Sequence, residues 1–256
     1  MKLHTADEYD PRECVDLGAS IGTWLGTNSM IMTGTDGKPI SRLVRRALTV
    51  GLASTGITVL DLRMVPDVVV KYEIKRQGMG AGLYVAYDGT HFNILLYNSD
   101  GESMEAEKVR QVQEVKAHKK YTKVPIQDLG TILYYPNGIE DYIDNLSGEI
   151  QFRKNLTVLA DCQTTPIAAV IPGLFERFGI KTTLFNGLIS GYGNPKPKEE
   201  FLQSLKRERY SLGIRFMDSV EIYKHDGTIM DERRGIRETL QFLRDFKEDE
   251  NGRAPR

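Results

Sequence analysis

The chain has 256 residues, of which 40% are hydrophobic and 27% charged, and its formal net charge is −1. This composition is that of an ordinary globular protein with one domain, or two of about 100–150 residues. A near-zero charge provides no field that attracts nucleic acid or an anionic membrane. No run approaches the ~18 apolar residues of a membrane span, and the first ten residues lack an apolar signal segment, so a cytoplasmic protein is expected.

The first half of the chain alternates predicted helices with predicted strands. Asp10-Pro11 is a typical helix start, and apolar residues follow it at helical spacing. Gly18, Gly22 and Gly26 recur on one face of that helix and predict close packing against a sheet. Predicted helices cover residues 9–27, 41–54, 67–77 and 102–127. Predicted strands cover residues 57–62, 83–86 and 94–97. A short apolar run covers 30–32, and a further short element covers 134–145.

The second half repeats the α/β rhythm without an evident sequence repeat. Packing signals are weakest around residues 147–154, so the predicted domains are residues 1–148 and 149–256. Predicted strands are 156–160, 181–185, 213–216 and 221–224. Predicted helices are 167–178, 198–209 and 231–246, with a Gly/Pro-rich loop at 187–197 and a frayed tail from 247. Such alternation predicts an α/β fold with doubly wound sheets.

Several sequence features have an ordinary structural interpretation. The glycines of residues 78–82 follow a helix and precede a strand, which is the reverse of a dinucleotide-binding loop, so a helix cap and turn are predicted. Cys14 and Cys162 are expected to be reduced, packed thiols. There is no Walker motif, Cys/His metal spacing or G-x-S-x-G elbow.

Two groups of polar residues are candidates for chemistry. Asp88 and His91 lie in a loop after a predicted strand, where α/β sheets bind ligands, and could act as base and acid or hold a cation. A surface turn built from Asp and Gly is the alternative. Asp218 and Glu221 occupy a similar position in the second half and are candidates for a weak cation site, with solvated acids as the alternative.

The order of segments resembles the α-D-phosphohexomutases, the family of phosphomannomutases and phosphoglucomutases. The resemblance spans about residues 9 to 230 and is carried by the order of several weak matches. These are the Gly34–Ser41 turn, the Arg45–Gly56 helix, Val59–Leu62 with Val65-Pro66, Tyr97–Gly101, Val158–Cys162, Asn194–Pro197 and Ser211–Ile214. The resemblance implies two tandem three-layer α/β/α domains of phosphohexomutase type.

The sequence departs from the family's catalytic pattern. The family's phosphoserine loop is replaced by residues 85–91, with Asp88 nearest the serine position. Its magnesium loop is replaced by residues 216–221, in which Met217 and Ser219 stand at aspartate positions. The family's early phosphate-contacting segment and its third and fourth domains have no match. Ligand-binding candidates at matched positions are Asp36, Lys38 and Thr90.

We therefore expect a non-catalytic phosphohexomutase-like protein with a binding or regulatory role toward a protein partner or a sugar-phosphate or anion ligand. The alternative is a phosphotransferase that acts on hexose phosphates, either completed by a second subunit or using Asp88 in place of the phosphoserine. No cofactor is expected beyond weakly bound magnesium. A homo-oligomer or a heteromeric partner is expected to cover the surface that the missing domains would cover, with no nucleic acid and no membrane.

Overall fold

The computed structural model describes residues 10–187 and 194–247. They divide between two compact units, Met1–Gly138 and Ile139–Arg256. The helices are α1 Pro11–Leu25, α2 Pro39–Ser54, α3 Asp67–Gln77, α4 Ala106–His118, α5 Gly138–Glu149, α6 Ile171–Arg177, α7 Lys198–Arg207 and α8 Ile236–Asp245. The strands are β1 Met30–Thr35, β2 Thr58–Met64, β3 Ala81–Tyr87, β4 Phe92–Tyr97, β5 Ile132–Tyr134, β6 Thr157–Asp161, β7 Lys181–Phe185, β8 Leu212–Phe216, β9 Val220–Tyr223 and β10 Ile229–Arg233.

Each unit contains one five-stranded sheet, and the α/β prediction is confirmed. The first sheet has the order β4-β3-β1-β2-β5 and the second the order β10-β9-β8-β6-β7. The four strands β4-β3-β1-β2 and the four strands β9-β8-β6-β7 have the same order and the same directions, with a single antiparallel pair at the end. The units therefore share a topological repeat that the sequence does not display.

The core of the first unit forms where helices α1 and α2 pack on the sheet. Leu17 and Ile21 of α1 and Leu48 of α2 are buried with strand residues such as Ile31. Trp24, the only tryptophan in the sequence, packs against this core and donates through Nε1 to Gln111 of α4 at 2.9 Å. This tryptophan is therefore a local reporter of the first unit.

Local signals placed two helix ends as predicted. Asp10 caps α1 by accepting from the Arg12 amide at 2.8 Å, and Pro11 occupies the first helical position. Gly78 ends α3 with a φ of 64°, a left-handed conformation that glycine adopts without steric cost. The predicted cap and turn are confirmed for residues 78–80 only, since β3 begins at Ala81.

The glycine face of α1 packs on a helix rather than on a sheet. A Cβ at Gly18 would lie 2.1 Å from the Leu48 carbonyl oxygen of α2, and a Cβ at Gly51 of α2 would lie 2.1 Å from the Val15 carbonyl oxygen. The two helix backbones therefore touch where each carries a glycine. Gly26 has no such neighbour and instead ends α1 with a φ of 85°.

Several predicted helices are shorter than expected. The helix predicted at 167–178 is a 3₁₀ turn at Pro166–Ala169 followed by α6 Ile171–Arg177. Helix α4 ends at His118, and Lys119 adopts a left-handed conformation. Residues 119–125 were predicted to be helical and are not. The predicted helix at 231–246 begins only at Ile236, because residues 229–233 form β10 against β9. The segment Gly34–Ser41, expected to be a turn, is a turn only in its middle, since β1 extends through Thr35 and α2 begins at Pro39. The predicted frayed tail lies outside the described residues, apart from residue 247.

The division between the units falls after Gly138, the first residue of α5, whereas the predicted boundary falls after residue 148. Helix α5 packs within the second unit, where Arg177 of α6 pairs with Glu140 and with Asp144, the latter at 2.8 Å. A Cβ at Gly173 of α6 would also lie 3.2 Å from Ile143 of α5. No helix within the described ranges is long and apolar enough to cross a membrane.

Candidate functional site

The loop after β1 forms hydrogen bonds with the end of β3, the neighbouring strand in the first sheet. The Asp36 carboxylate accepts from the Lys38 amide at 3.1 Å and from the Tyr87 amide, at the end of β3, at 2.8 Å. The Lys38 ammonium donates to the Tyr87 carbonyl oxygen and lies 3.9 Å from the Asp36 carboxylate. Two predicted ligand-binding residues, Asp36 and Lys38, are thus brought together at the carboxyl edge of the sheet, where Lys38 stays partly exposed.

The loop that carries Asp88 and His91 is a tight hairpin turn between β3 and β4. These two strands are antiparallel neighbours in the first sheet. Asp88 Oδ1 accepts from the Thr90 amide at 2.9 Å and from the His91 amide at 2.7 Å, and Oδ2 accepts from Asn93 at 3.3 Å. The backbone hydrogen bonds from His91 and Thr90 lower the pKa of Asp88 to about 2. The exposed carboxylate is therefore ionised at neutral pH and closes its own turn.

A network of charged side chains lies at the corresponding edge of the second sheet. Asp161, at the end of β6, is fully buried and accepts from Arg215 Nε of β8 at 2.9 Å. Arg215 Nη1 also donates to Glu221 Oε2 at 2.9 Å, and the same oxygen lies 3.5 Å from the Lys198 ammonium and 2.5 Å from the Tyr223 hydroxyl. One carboxylate oxygen of Glu221 therefore meets two cations and a hydroxyl donor.

The charge state of Glu221 follows from these neighbours. Burial alone would raise its pKa, but the hydrogen bond from Tyr223 and the charges of Lys198 and Arg215 outweigh burial and lower it. Glu221 is thus an ionised carboxylate whose charge is already compensated by protein cations.

The predicted metal candidates, Asp218 and Glu221, differ in their surroundings. Asp218 is exposed in the β8–β9 hairpin, where the Met217 amide donates to the Ser219 carbonyl oxygen at 3.1 Å. Magnesium prefers several oxygen ligands in octahedral geometry, and a thioether such as Met217 is a poor ligand for it. The described residues contain no group of three or more His, Cys, Asp or Glu that could hold a metal ion. The side chains of this hairpin therefore do not fit magnesium.

The turn that follows Asp161 has a strained backbone. Gln163 and Thr164 both have positive φ angles, of 50° and 56°, which is unfavourable for a β-branched residue such as Thr164. The turn is held by the Asp161 carboxylate, which accepts from the Gln163 amide at 3.2 Å, and by Asn186, which donates to Asp161 at 2.8 Å. Asp161 therefore organises both the turn and the ion network.

Sequence reasoning did not identify Asp161, Arg215, Lys198 or Tyr223 as parts of a site. The signal for two of them was present: Asp161 ends the apolar run 156–160, and Arg215 interrupts the apolar run 212–216. A charged residue within a buried strand requires a partner. The pairing of these strands was needed to reveal which residue that partner is.

Both cysteines are free and buried, as predicted. Burial raises the pKa of the Cys14 thiol to about 11 and that of Cys162 to about 12. Neither thiol is a nucleophile at neutral pH.

The chain resembles known sugar-phosphate mutases in sequence. Residues 2–122 match the family model for phosphoglucomutase/phosphomannomutase, alpha/beta/alpha domain I. A phosphoglucosamine mutase from Methanococcus aeolicus is 26% identical over 178 residues, covering 68% of this chain and 39% of that protein. A protein named as a probable phosphoglucosamine mutase from Methanobrevibacter smithii is 25% identical over 205 residues, covering 78% of this chain and 46% of that protein. The chain thus spans less than half the length of these two relatives.

Solved structures show the same fold. A phosphoglucomutase/phosphomannomutase family protein from Burkholderia thailandensis superposes with a TM-score of 0.73 at 17% identity, covering 86% of this chain and 52% of that one. The open form of pp63/parafusin from Paramecium superposes with a TM-score of 0.63 at 13% identity, covering 85% and 50%. The predicted tandem α/β/α architecture is confirmed by these similarities.

Proposed function

We propose that the two units of this chain, residues 2–122 of which match the phosphoglucomutase/phosphomannomutase domain I model, bind a sugar phosphate or a related anion without performing phosphoryl transfer. The observation that carries this proposal is the pairing of Glu221 with Arg215 and Lys198. Glu221 is the acid that stands in register with the family's magnesium loop. Its neutralisation by two protein cations leaves no net negative charge to attract a divalent ion.

Electrostatics explain why this arrangement opposes magnesium-dependent chemistry. Phosphoryl transfer depends on charge neutralisation and positioning by a cation at the transferring group. A magnesium ion near Glu221 would have to displace Arg215, which also compensates the buried Asp161. Displacement would leave Asp161 buried without a counter-charge, a change that is strongly unfavourable. Binding of magnesium at this position is therefore expected to be weak or undetectable.

The proposed anion position lies beside Lys38 at the carboxyl edge of the first sheet. Lys38 is a partly exposed cation directly before α2, and its partner Asp36 is itself engaged by two backbone amides. The exposed Thr90 lies in the β3–β4 turn near Asp88. Within that turn the Thr90 amide donates to the Asp88 carboxylate, and the Asp88 amide donates to the His91 carbonyl oxygen. Lys38 therefore supplies the charge, and Thr90 an exposed hydroxyl, for a phosphate group.

The second candidate function is phosphoryl transfer through Asp88, with a further subunit. It is favoured by the ionised state of Asp88 at neutral pH, since an ionised carboxylate can accept a phosphoryl group. The relatives named as phosphoglucosamine mutases favour amino-sugar phosphates as substrates for this alternative. The three hydrogen bonds that Asp88 accepts oppose it, because they reduce its nucleophilicity.

The first experiment tests catalysis with the purified full chain. Glucosamine 6-phosphate and glucose 1,6-bisphosphate are offered with Mg²⁺, and product formation and hydroxylamine-sensitive phosphorylation of the protein are measured. We expect neither, and no heat of Mg²⁺ binding in calorimetry. Magnesium-dependent turnover, or acyl phosphate that disappears in Asp88→Asn, would establish the alternative function instead.

The second experiment tests binding. Glucosamine 6-phosphate is expected to raise the thermal midpoint of the wild-type chain, and Lys38→Gln is expected to reduce that shift. Lys75→Gln is the matched control, because Lys75 is an exposed lysine on α3. Equal shifts in both variants would place the anion elsewhere and refute the role of Lys38.

A further inference from the structure

The outer side of β5 is an apolar strand edge that no described strand covers. β5 pairs with β2 and stands last in the first sheet. Its residues Ile132, Leu133 and Tyr134 are each about half exposed, at 46%, 46% and 51%. The strand is preceded by exposed Leu129 and, further back, by Ile126. We call the outer side of Ile132–Tyr134 the β5 edge.

The backbone of the β5 edge presents hydrogen-bonding groups to the outside. The Thr131 carbonyl oxygen accepts from Val59 of β2 at 2.8 Å, and the Tyr135 amide donates to Asp61 of β2 at 3.0 Å. Alternate residues of a strand turn their backbone groups to the same neighbour, so Thr131, Leu133 and Tyr135 face β2. The N–H and C=O groups of Ile132 and Tyr134 therefore point away from the sheet.

Arg63 lies beside this edge in an unusual conformation. Its guanidinium is centred 3.9 Å from the ring centroid of Tyr134, which is a stacked cation–π arrangement. Its backbone φ is 60°, in the left-handed region, and the β1–β2 register shifts at this point. A positive φ is unfavourable for arginine, so the surrounding fold must stabilise the backbone conformation in which the Arg63 side chain lies over Tyr134.

The guanidinium of Arg63 has no acidic partner among the described residues. The nearest acid in sequence, Asp61, accepts from the Arg63 backbone amide at 2.8 Å, while its other oxygen lies 2.5 Å from Arg45. Asp61 is thereby compensated by Arg45. The exposed Arg63 retains its side-chain donors for an external acceptor.

We propose that the β5 edge and Arg63 together form a docking surface for an extended, acidic peptide segment of a partner protein. The segment adds a strand beside β5, its backbone pairs with Ile132 and Tyr134, and a carboxylate of the segment binds the Arg63 guanidinium. This surface goes beyond the proposed anion site, which depends on Lys38 rather than on Arg63.

Charge complementarity selects this occupant. A small anion would satisfy Arg63 but would leave the outward backbone groups and the apolar side chains uncovered. A second copy of β5 would pair the backbone, but Ile132–Tyr134 contains no acid, so self-pairing would leave both Arg63 cations without a counter-charge. An extended peptide with apolar residues and an Asp or Glu satisfies all three requirements.

The test uses phage-displayed libraries of random linear peptides, selected on the full chain. One library contains Asp and Glu and a matched library lacks them. We expect enrichment only from the first, in sequences that combine an acid with apolar residues. Affinity of the enriched peptide, measured by fluorescence anisotropy, is expected to fall about tenfold in Arg63→Gln. Arg46→Gln, which removes an exposed charge from α2, is expected to leave it unchanged.

Two further measurements keep the test independent of folding defects and of other occupants. Trp24 fluorescence must show that Arg63→Gln retains the native first unit. Two N-methylated peptides are compared, one methylated at the odd-numbered residues and one at the even-numbered residues. One of them is expected not to bind, and the other is expected to bind as the unmodified peptide does. The proposal is overturned by enrichment from neither library or equally from both, by equal affinity for Arg63→Gln, or by a dimer in sedimentation that blocks the peptide. It is likewise overturned if inorganic phosphate competes as tightly as the peptide binds.

Discussion

In each unit an aspartate at the carboxyl end of a central strand is held by hydrogen bonds, but the donor groups differ between the units. In the first unit, Asp36 after β1 is held by the backbone amides of Lys38 and Tyr87, and Gly37 provides the positive φ that its turn requires. In the second unit, Asp161 at the end of β6 is held by the side chains of Arg215 and Asn186 in addition to the Gln163 amide. We call the first arrangement the backbone-closed edge and the second the ion-closed edge. The same strand order supports both.

This difference indicates where each unit can respond to a ligand. A backbone-closed edge leaves Lys38 partly exposed, so an anion can approach without breaking a buried interaction. An ion-closed edge has its charges already matched, and a ligand must first displace Arg215 or Lys198. Ligand binding is therefore expected in the first unit, and structural stability is the principal role of the network in the second.

The largest expected effect comes from Arg215→Met, which breaks the ion-closed edge. It leaves Asp161 fully buried without its cation, and loss of one partner of a buried pair typically costs about 3–5 kcal/mol. Urea unfolding followed by far-ultraviolet circular dichroism measures the loss. Trp24 fluorescence, which follows the first unit, should shift less.

Arg209→Met is the control for that measurement, because Arg209 is an exposed arginine of the same unit. It should change the free energy of unfolding by no more than about 0.5 kcal/mol. An equally small effect of Arg215→Met would mean that the network contributes little, and the contrast between the two edges would then have no energetic basis.

A smaller effect of opposite sign is expected from Thr164→Asn. The first unit has glycine in its turn, whereas the second has the β-branched Thr164 at a φ of 56°. Asparagine tolerates the left-handed region better, so the free energy of unfolding should rise by about 1 kcal/mol. Thr164→Val retains the branched side chain and should give no gain; a gain from valine would show that strain is not the cause.

The smallest effect is expected from Asp88→Asn in the first unit. The folded-state pKa of Asp88 is lowered to about 2, below an unfolded value of about 3.9. The stabilisation by the ionised form is thus present above about pH 4 and is lost as the pH falls toward 2. The urea midpoints of wild type and Asp88→Asn should differ at pH 7 and converge near pH 2.

Asp218→Asn provides the matched exposed position in the second unit. Asp218 is exposed in the β8–β9 hairpin, so its substitution should leave the urea midpoint at pH 7 unchanged. A difference for Asp88→Asn that persists at pH 2 would show that hydrogen-bond geometry rather than ionisation stabilises the turn.

The sequence predicts most elements because their signals are local. The Asp10-Pro11 cap, the Gly78 terminus and the apolar run of β6 each determine structure within a few residues. The position of β10 could not be predicted in this way, because residues 229–233 become a strand only by pairing with β9. The close contact of α1 with α2 was likewise invisible, since glycine spacing does not reveal which element approaches.

The candidate site was only partly predictable for the same reason. Asp36 and Lys38 follow a strand and lie two residues apart, so their proximity could be anticipated. The environment of Glu221 could not, because Lys198 and Arg215 belong to other elements and reach it only through the tertiary fold. The unusual conformation of Arg63 carries no sequence signal, since non-glycine residues rarely adopt a positive φ.

The buried Asp161–Arg215 pair has a consequence for biosynthesis. Its two members are separated by 54 positions along the chain, and the strand that ends in Asp161 lies between two neighbours that are both translated later. During elongation, this aspartate emerges from the ribosome well before its arginine, at a time when the first unit can already fold. Translation pauses between these positions would therefore prolong a state in which an apolar strand ending in a carboxylate must remain hydrated or be shielded by a chaperone.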